Sequence, residues 1–256
     1  MQHAFQIEYF RGAKPQRLSN VVLFSPSLLL IERGSKGLHW QGQRVDLGAK
    51  LLLAGHSRQQ LTFENMPLAQ GFKSQMLLFF VHPEPELLAL SRASASLTPW
   101  FGQTKGLKAS LSFLVSMDKQ AFSLDAQQQF VFGLYQQLAE LGVLHWMFPS
   151  GEVTVAQRVA ELAAQQPAHN ALFALCCQRL GMSRATLLRH LKADQLRFRD
   201  IVAQVRMNHA ISLMQRGERQ LERLSDACGY QSLPRFQARF EGQFGLSVSE
   251  YLATLS

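Results

Sequence analysis

Two segments in the carboxy-terminal third of the chain repeat one short pattern, and this repeat constrains the fold more than any other feature. One is Leu180-Gly181-Met182-Ser183, and the other is Cys228-Gly229-Tyr230-Gln231-Ser232. A glycine accepts the left-handed backbone that ends a helix, and a serine side chain can cap the start of the next one. Each segment therefore predicts a helix, a sharp turn and a second helix.

The second helix of each unit is predicted to bury one face and to leave the other free. Apolar pairs spaced i, i+4 fall on one side of a helix, and here they are Leu187 with Leu191 and Phe236 with Phe240. The opposite sides are polar, so each helix could enter the major groove of DNA. The candidate DNA-contacting residues are Ser183, Arg184, Thr186, Arg189, His190 and Lys192, then Gln231, Ser232, Arg235, Gln237 and Arg239. A solvated helix face could show the same charges.

One long helix, predicted over residues 198–216, joins the two units and stops at Gly217. Its apolar positions are Phe198, Ile201, Val202, Val205, Ala210, Leu213 and Met214. A stiff rod fixes the separation of the two reading helices, which should be roughly 34 Å if they enter successive turns of the duplex. One polypeptide would then read adjacent groove segments.

The charge of the chain favours an anionic partner. The formal net charge is +8, although charge alone does not separate nucleic acid from a membrane surface. Residues 152–256 contain 12 arginines and one lysine, whereas residues 1–151 contain six arginines and seven lysines. Arginine is the better fork for phosphates and guanine edges, so its concentration in the carboxy-terminal part supports a DNA-binding function there.

The amino-terminal part reads as an antiparallel barrel or sandwich followed by helices. Short apolar runs predict strands at residues 5–10, 21–24, 28–32, 38–40, 50–54, 59–63 and 75–81, with turns at 33–37, 41–43 and 55–57. Helical spacing follows at residues 85–94, 107–117 and 126–147. Pro149-Ser150-Gly151 then breaks the pattern, which places a linker at 149–152.

The last of these helices carries a broad apolar stripe that includes Phe130, Leu134, Leu138 and Leu141. Such a stripe packs either on its own domain or on a second copy of the chain. These four residues are therefore candidates for dimerisation, and a homodimer is one expected assembly.

Neither a metal nor a cofactor is expected. Cys176, Cys177 and Cys228 lack metal-ligand spacing and are predicted to be packed thiols. The chain shows no amino-terminal signal pattern and no apolar run long enough to cross a bilayer, so we expect a cytoplasmic protein without a membrane partner.

The carboxy-terminal residues resemble the DNA-binding domain of the AraC/XylS family of transcription regulators over about 90 residues. The matching positions are Leu180 to Ser183, Leu187, Arg189, Lys192, Phe198, Arg206, Ala210, Leu213, Met214, Leu224, Gly229, Tyr230, Phe236, Phe240, Phe244, Gly245, Ser249, Glu250 and Tyr251. The resemblance implies that Arg189 contacts bases or phosphates, that Lys192 contacts the DNA backbone, and that the protein recruits RNA polymerase. It also implies that Cys176 and Cys228 fill small apolar core positions.

Three positions depart from the family pattern. Ala238 stands where the family usually has arginine, Glu241 where it has lysine, and Val248 where it has proline. One bidentate arginine contact is worth about 1 to 3 kcal/mol of discrimination between bases, and Ala238 can make none. The first unit is therefore expected to supply most of the sequence discrimination.

The amino-terminal part is loosely similar to the family's barrel-and-helices companion domain, in the branch that controls virulence and stress genes. The fold expected overall is α+β, with a cupin-like antiparallel β-barrel plus helices at 1–148 and an all-α DNA-binding domain at 153–256. In some members of that branch basic residues grip a fatty acid, and the positions aligned with them here are Ser27 and Gln215. Candidate substitutes for effector binding are Lys14, Arg33, Lys36 and Arg216.

We expect a regulator that binds specific DNA sequences at promoters, and we favour activation over repression. A fatty acid or another small apolar molecule is a candidate effector. Two alternatives stay open. A partner protein could keep the fold and modulate a related regulator, with DNA contacts degraded at Ala238 and Glu241. A cupin-type metalloenzyme would need a His-x-His pair, whereas His39 and His56 stand apart in the chain, so no enzymatic activity is expected.

Overall fold

A computed structural model describes residues 3–149 and 153–256 and has an α+β fold, with two antiparallel sheets followed by helices. The strands are β1 (Phe5–Gly12), β2 (Gln16–Val22), β3 (Ser27–Arg33), β4 (Ser35–Trp40), β5 (Gln43–Gly48), β6 (Leu51–Gly55), β7 (Gln60–Met66), β8 (Phe72–Phe79) and β9 (Trp100–Gly102). This architecture confirms the fold class predicted from the sequence.

The two sheets face each other as the walls of a barrel. One has the strand order β1-β8-β3-β6-β9 and the other β2-β7-β4-β5. Side chains alternate across a strand, so Ile31 and Phe72 from the first sheet meet Leu38 and Phe63 from the second in a single buried cluster. The barrel interior is therefore packed mainly with apolar side chains.

Four helices cover the outer face of the five-stranded sheet: α1 (Pro85–Ala93), α2 (Lys105–Ser116), α3 (Leu124–Glu140) and α4 (Leu144–Met147). Leu77 and Phe79 of β8 pack against Leu134 and Tyr135 of α3 in a second cluster. The hydroxyl of Tyr135 donates to the carbonyl of Val81 at 2.9 Å, which satisfies the one polar atom that this side chain buries.

Two strands and one turn differ from the sequence prediction. The strands β5 and β9 were not predicted, because β5 is largely polar and β9 has three residues. The turn predicted at 33–37 is confined to the junction at Gly34, whose φ is +82°, and β4 already begins at Ser35. A Cβ at Gly34 would press on the carbonyl of Met66, so glycine allows β3 and β4 to follow each other without a longer loop.

The helix predicted over 126–147 is divided into α3 and α4. The break lies at Gly142, which has a φ of +67°. A Cβ there would overlap the carbonyl oxygen of Ser94, so the close approach of the segment after α1 requires a glycine. The continuous apolar periodicity of the sequence did not reveal this interruption.

The carboxy-terminal part consists of helices in the residues that the structure describes there. They are α5 (Val155–Gln165), α6 (Leu172–Leu180), α7 (Arg184–Ala193), α8 (Phe198–Gln215), α9 (Leu221–Ala227), α10 (Leu233–Phe244) and α11 (Val248–Ala253). The long helix predicted between the units is α8. Of the linker predicted at 149–152, residues 150–152 lie outside the described residues. No described helix is long and apolar enough to cross a membrane.

The two helix-turn-helix units pack differently. The first has its own cluster, formed by α5 to α8, in which Val159, Leu187 and Val205 are buried. The second shares a cluster with the barrel, in which Met214 and Phe240 join barrel residues such as Phe63. Here α8 packs against β1 and β2, and α10 packs against β2. The second unit and the barrel therefore form one continuous packing unit.

Candidate DNA interface

The turn of the first unit is built as the sequence predicts. Gly181 ends α6 with a φ of +63°, and the N–H of Met182 donates to the carbonyl of Cys177 at 3.0 Å. The hydroxyl of Ser183 then accepts from the N–H of Thr186 at 3.1 Å and caps α7. A left-handed glycine followed by a serine cap fixes the angle between the two helices.

The face of α7 that turns away from the protein is polar and basic. Leu187 and Leu191 are fully buried, which confirms the predicted inward pair. Arg189 lies between them in sequence and points the opposite way, at the centre of the exposed face. Of the predicted contacts in this unit, Ser183, Arg184, Arg189, His190 and Lys192 are exposed and Thr186 is half-buried.

An aromatic stack holds Arg184 at the start of α7. Its guanidinium carbon lies 5.1 Å from the ring centroid of Phe173, and that ring lies 4.8 Å from the ring of Phe198. A cation over an aromatic face is attracted by the ring quadrupole. Because Phe173 belongs to α6 and Phe198 begins α8, the arginine is positioned by both neighbouring helices, a contact that sequence spacing did not reveal.

The second unit repeats this geometry with a different cap. Gly229 has a φ of +72°, and Phe236 and Phe240 are fully buried. Ser232 precedes α10 but its side chain makes no capping hydrogen bond, contrary to the prediction. Pro234 occupies the second helical position and lacks an N–H, so one of the two donors that a cap uses is missing. Gln231, Arg235 and Arg239 are exposed, and Ser232 and Gln237 are half-buried.

The centres of the two exposed faces carry different chemistry. Ala238 follows Phe236 by the same two positions that separate Arg189 from Leu187, and it is exposed. Glu241, one turn further along α10, is exposed as well. The two units therefore present an arginine and an alanine at equivalent places.

Arg206 on α8 connects the two units. Its Nε donates to the carbonyl of Pro167 at 2.8 Å, before the first unit, and its guanidinium carbon lies 5.7 Å from the ring of Tyr230 in the turn of the second. A Cβ at Gly229 would come within 2.8 Å of the guanidinium. The resemblance included Arg206, but no signal in the sequence gave it this linking role.

The cysteines take structural positions, as the resemblance implies. Cys176 and Cys228 are fully buried in the first and second units, and all three thiols are free. Burial raises the pKa of Cys176 to about 11 and that of Cys228 to about 12. Both thiols are therefore protonated and unreactive at neutral pH.

Lys36 is the effector candidate that lies inside the barrel. It is 3% exposed, its Nζ donates to Oδ1 of Asn65, and Nζ lies 3.4 Å from the ring centroid of Phe63. Burial lowers the pKa of Lys36 well below its ordinary value. Within the described residues no carboxylate pairs with this amine, so an amide oxygen and aromatic faces are its partners.

The other three effector candidates have separate partners on the surface. The Nζ of Lys14 donates to the carbonyl of Ala253 at 3.1 Å. Arg33 donates to the side chain of Gln70, and Arg216 pairs with Glu8 at 3.0 Å. The structure therefore does not gather the four predicted residues around one site.

The two positions aligned with the family's basic residues are buried and uncharged. Ser27 is 2% exposed. The side-chain oxygen of Gln215 accepts from the N–H of Arg11 at 2.9 Å, while its nitrogen donates to the carbonyl of Arg11 at 3.0 Å and to the hydroxyl of Tyr251 at 2.7 Å. Gln215 thus joins α8 and α11 to the end of β1.

Two of the four residues predicted for dimerisation are buried in the core. Leu134 and Leu138 are fully buried against the sheet, so they are not available to a second chain, contrary to the prediction. Phe130 and Leu141 remain 37% and 38% exposed. The ring of Phe130 stacks edge-on with Phe113 and Phe122, at centroid distances of 4.8 and 5.5 Å, and this aromatic patch is exposed on α2, α3 and the loop between them.

The chain matches a domain family and known regulators in sequence. Residues 176–254 match the family model described as a helix-turn-helix domain. The TCP pilus virulence regulatory protein of Vibrio cholerae is 24% identical over 110 residues, which are 43% of this chain and 40% of that protein. The transcriptional regulator YdeO of Escherichia coli is 31% identical over 101 residues, or 40% of each chain. The matched segment thus spans about two fifths of these relatives.

The whole chain has a fold similar to that of solved structures of ToxT from Vibrio cholerae. One aligns with 99% of both chains at a TM-score of 0.62 and 16% identity. Another, with an unsaturated fatty acid bound, aligns with all of this chain at a TM-score of 0.59 and 18% identity. The similarity extends through both the barrel and the helix-turn-helix units.

Proposed function

We propose that the protein binds specific DNA sites and regulates transcription from them, because residues 176–254 match a helix-turn-helix domain and resemble the DNA-binding domain of the AraC/XylS regulators. The relatives that it matches carry the names of regulatory proteins, and we propose no enzymatic activity. The observation that supports this function best is the pair of equivalent exposed faces on α7 and α10, each at the second helix of a glycine-turned unit.

The arrangement of charges supports DNA as the ligand. Arg184, Arg189 and Lys192 on α7 are exposed together with Arg235 and Arg239 on α10. Arginine forks fit guanine edges and phosphate oxygens, and a helix of this kind fits the major groove. The contacts of Arg206 and the continuous helix α8 would hold α7 and α10 at a fixed separation. This separation suits a DNA site that extends over two turns of the duplex.

A footprint of the full chain on the DNA upstream of its own gene, at two salt concentrations, tests this function. We expect a discrete protected site and an affinity that falls steeply with salt, because each phosphate contact releases counterions. A folded chain that protects no site and shows little DNA affinity would instead support a partner protein that modulates a related regulator.

We further propose that the bound protein activates promoters by recruiting RNA polymerase, as the family resemblance implies. Transcription in vitro from a promoter that carries the protected site tests this. Added protein should raise the amount of transcript, and a decrease would identify a repressor.

An apolar acid is the effector class that we propose for the barrel, because a fatty acid occupies one of the similar ToxT structures and Lys36 is a buried amine without a carboxylate partner in the described part of the chain. Thermal unfolding with oleate, and with its methyl ester as the uncharged control, tests the proposal. Oleate alone should raise the melting temperature, and the K36Q variant should lose the effect. Equal effects of the acid and the ester would exclude an amine anchor.

We also propose that the chain associates with a second copy of itself through the aromatic patch of Phe113, Phe122 and Phe130. Exposed aromatic clusters often mark contacts between proteins. Sedimentation of the wild type and of the F113S/F130S variant tests it: a dimer that the variant loses supports the patch, and an unchanged monomer excludes it.

A further inference from the structure

The exposed face of α10 has a methyl group at its centre. Ala238 points away from the buried Phe236 and Phe240 and is exposed. Pro234 and Gly242, one turn before and one turn after Ala238, carry no long side chain. The line of these three residues along the exposed face of α10 therefore projects little from the helix. Arg235 and Arg239 are exposed on one side of it. The part of α10 that would lie deepest in a groove is therefore apolar, with two cations along one side and the exposed Glu241 on the other.

A methyl group can read only one feature of the major groove. The groove edges of the base pairs present hydrogen-bond donors and acceptors, and thymine adds an apolar C5-methyl group. A guanine facing Ala238 would keep its acceptors without a protein partner, and unpaired polar groups in an interface cost affinity. Contact with a thymine methyl instead buries apolar surface on both sides.

On the premise that the proposed DNA-binding function holds, we propose that Ala238 is the specificity-determining residue of the second unit and selects a thymine through its methyl group. The first unit, with Arg189 at the equivalent position, selects hydrogen-bond acceptors such as those of guanine. The two units of one chain therefore read two different chemistries, and the departure at Ala238 changes the specificity of the second unit rather than removing it.

The flanking arginines make this contact possible. A long side chain at the centre of a reading helix keeps the backbone away from the bases, whereas alanine lets the helix come closer. Arg235 and Arg239 lie beside the central line and can reach the phosphates that border the groove, which fixes the position of the helix. Burying one methyl group is worth about a fourfold change in affinity.

The test starts from a DNA site that the full chain selects from a randomised duplex library. Each thymine of that site is replaced in turn by deoxyuridine, which removes only the C5-methyl group, and the dissociation constant of the full chain is measured. For the wild type we expect one thymine in the half-site of the second unit at which the change weakens binding about fourfold.

Three variants connect that thymine to Ala238. A238G should bind the thymine site about fourfold more weakly and show no further loss with deoxyuridine. A238R should prefer guanine at the same base pair in a repeated selection. The control A174G removes an exposed helical methyl group from α6 and should keep the full deoxyuridine effect, which separates the contact from helix destabilisation.

Two results would overturn the inference and leave the DNA-binding function intact: a selected site at which no thymine methyl of the second half-site matters, or an unchanged deoxyuridine effect in A238G. A folded chain that selects no DNA site would overturn the proposed function itself and this inference with it.

Discussion

Arg189 stands at the centre of the exposed face of α7, and no hydrogen bond or ion pair within the described residues occupies its guanidinium. A free, central arginine is available to a base edge. The R189A variant should weaken specific DNA binding by about 1 to 3 kcal/mol, measured by titration of the selected site. R17A, which removes an exposed arginine from the barrel strand β2, is the matched control, and equal losses in both variants would remove Arg189 from the reading face.

Lys36 makes stability depend on pH in a defined direction. Because burial lowers its pKa in the folded chain, the unfolded chain binds the extra proton between that lowered pKa and the ordinary value of about 10.4. The free energy of unfolding should therefore rise with pH over this interval, by at most about 1.4 kcal/mol per unit from this group. Below the lowered pKa both states are protonated and the dependence ends.

Denaturant unfolding of the wild type and K36Q at pH 7 and pH 9 checks this dependence. The glutamine keeps a donor for Asn65 and cannot titrate, so the variant should lose the part of the rise that Lys36 contributes. The buried thiols titrate alike in both proteins and cancel in the comparison. Parallel pH dependences would mean that Lys36 stays protonated in the folded chain.

At the scale of elements, the two reading helices begin with serines that do different things. Ser183 accepts from the N–H of Thr186, whereas Ser232 caps nothing. S183A should therefore lower the free energy of unfolding by about 1 kcal/mol, while S232A should leave it nearly unchanged. Chemical denaturation of both variants measures the difference, and equal losses would show that Ser232 does cap α10.

Elements with strong local signals were predictable, and those set by distant contacts were not. The pattern around Gly181 and Ser183 predicted the ends of α6 and α7, because caps act over a few residues. In contrast, the missing cap at Ser232 follows from Pro234, and the break at Gly142 follows from the approach of Ser94. Periodicity records which face is buried and says nothing about which backbone passes nearby.

At the scale of the whole molecule, the barrel and the helices are joined by contacts between residues that lie far apart in the sequence. No local sequence pattern predicts such contacts. Gln215 binds both backbone groups of Arg11, a residue 204 positions earlier in the chain. The positions of the candidate DNA-contacting residues on α7 and α10 were predictable because both helices have strong local signals, and their contact with DNA stays a prediction. The cluster that the barrel shares with the second unit was not predictable. An apolar helix face shows that it will be buried but does not indicate which element will cover it.

Breaking the Gln215 contact should weaken the entire fold. Q215L leaves the buried hydroxyl of Tyr251 without this partner and removes a part-buried partner from the N–H of Arg11, which costs about 1 to 3 kcal/mol, mainly from the buried hydroxyl. Thermal unfolding should keep one cooperative transition at a lower temperature, because the barrel and the second unit share their core. Q129L, at an exposed position of α3, is the control, and a separate early transition would show that the second unit unfolds alone.

The shared cluster also limits how this protein can be recombined with its relatives. A chimera that joins a foreign barrel to residues 153–256 would bring a new partner to the apolar faces of α8 and α10, while the first unit would keep its own core. Exchange at the linker is therefore not a neutral cut. A stable chimera would need to keep β1 and β2 together with α8 and α10. The unit that can be exchanged between relatives is therefore larger than the DNA-binding domain alone.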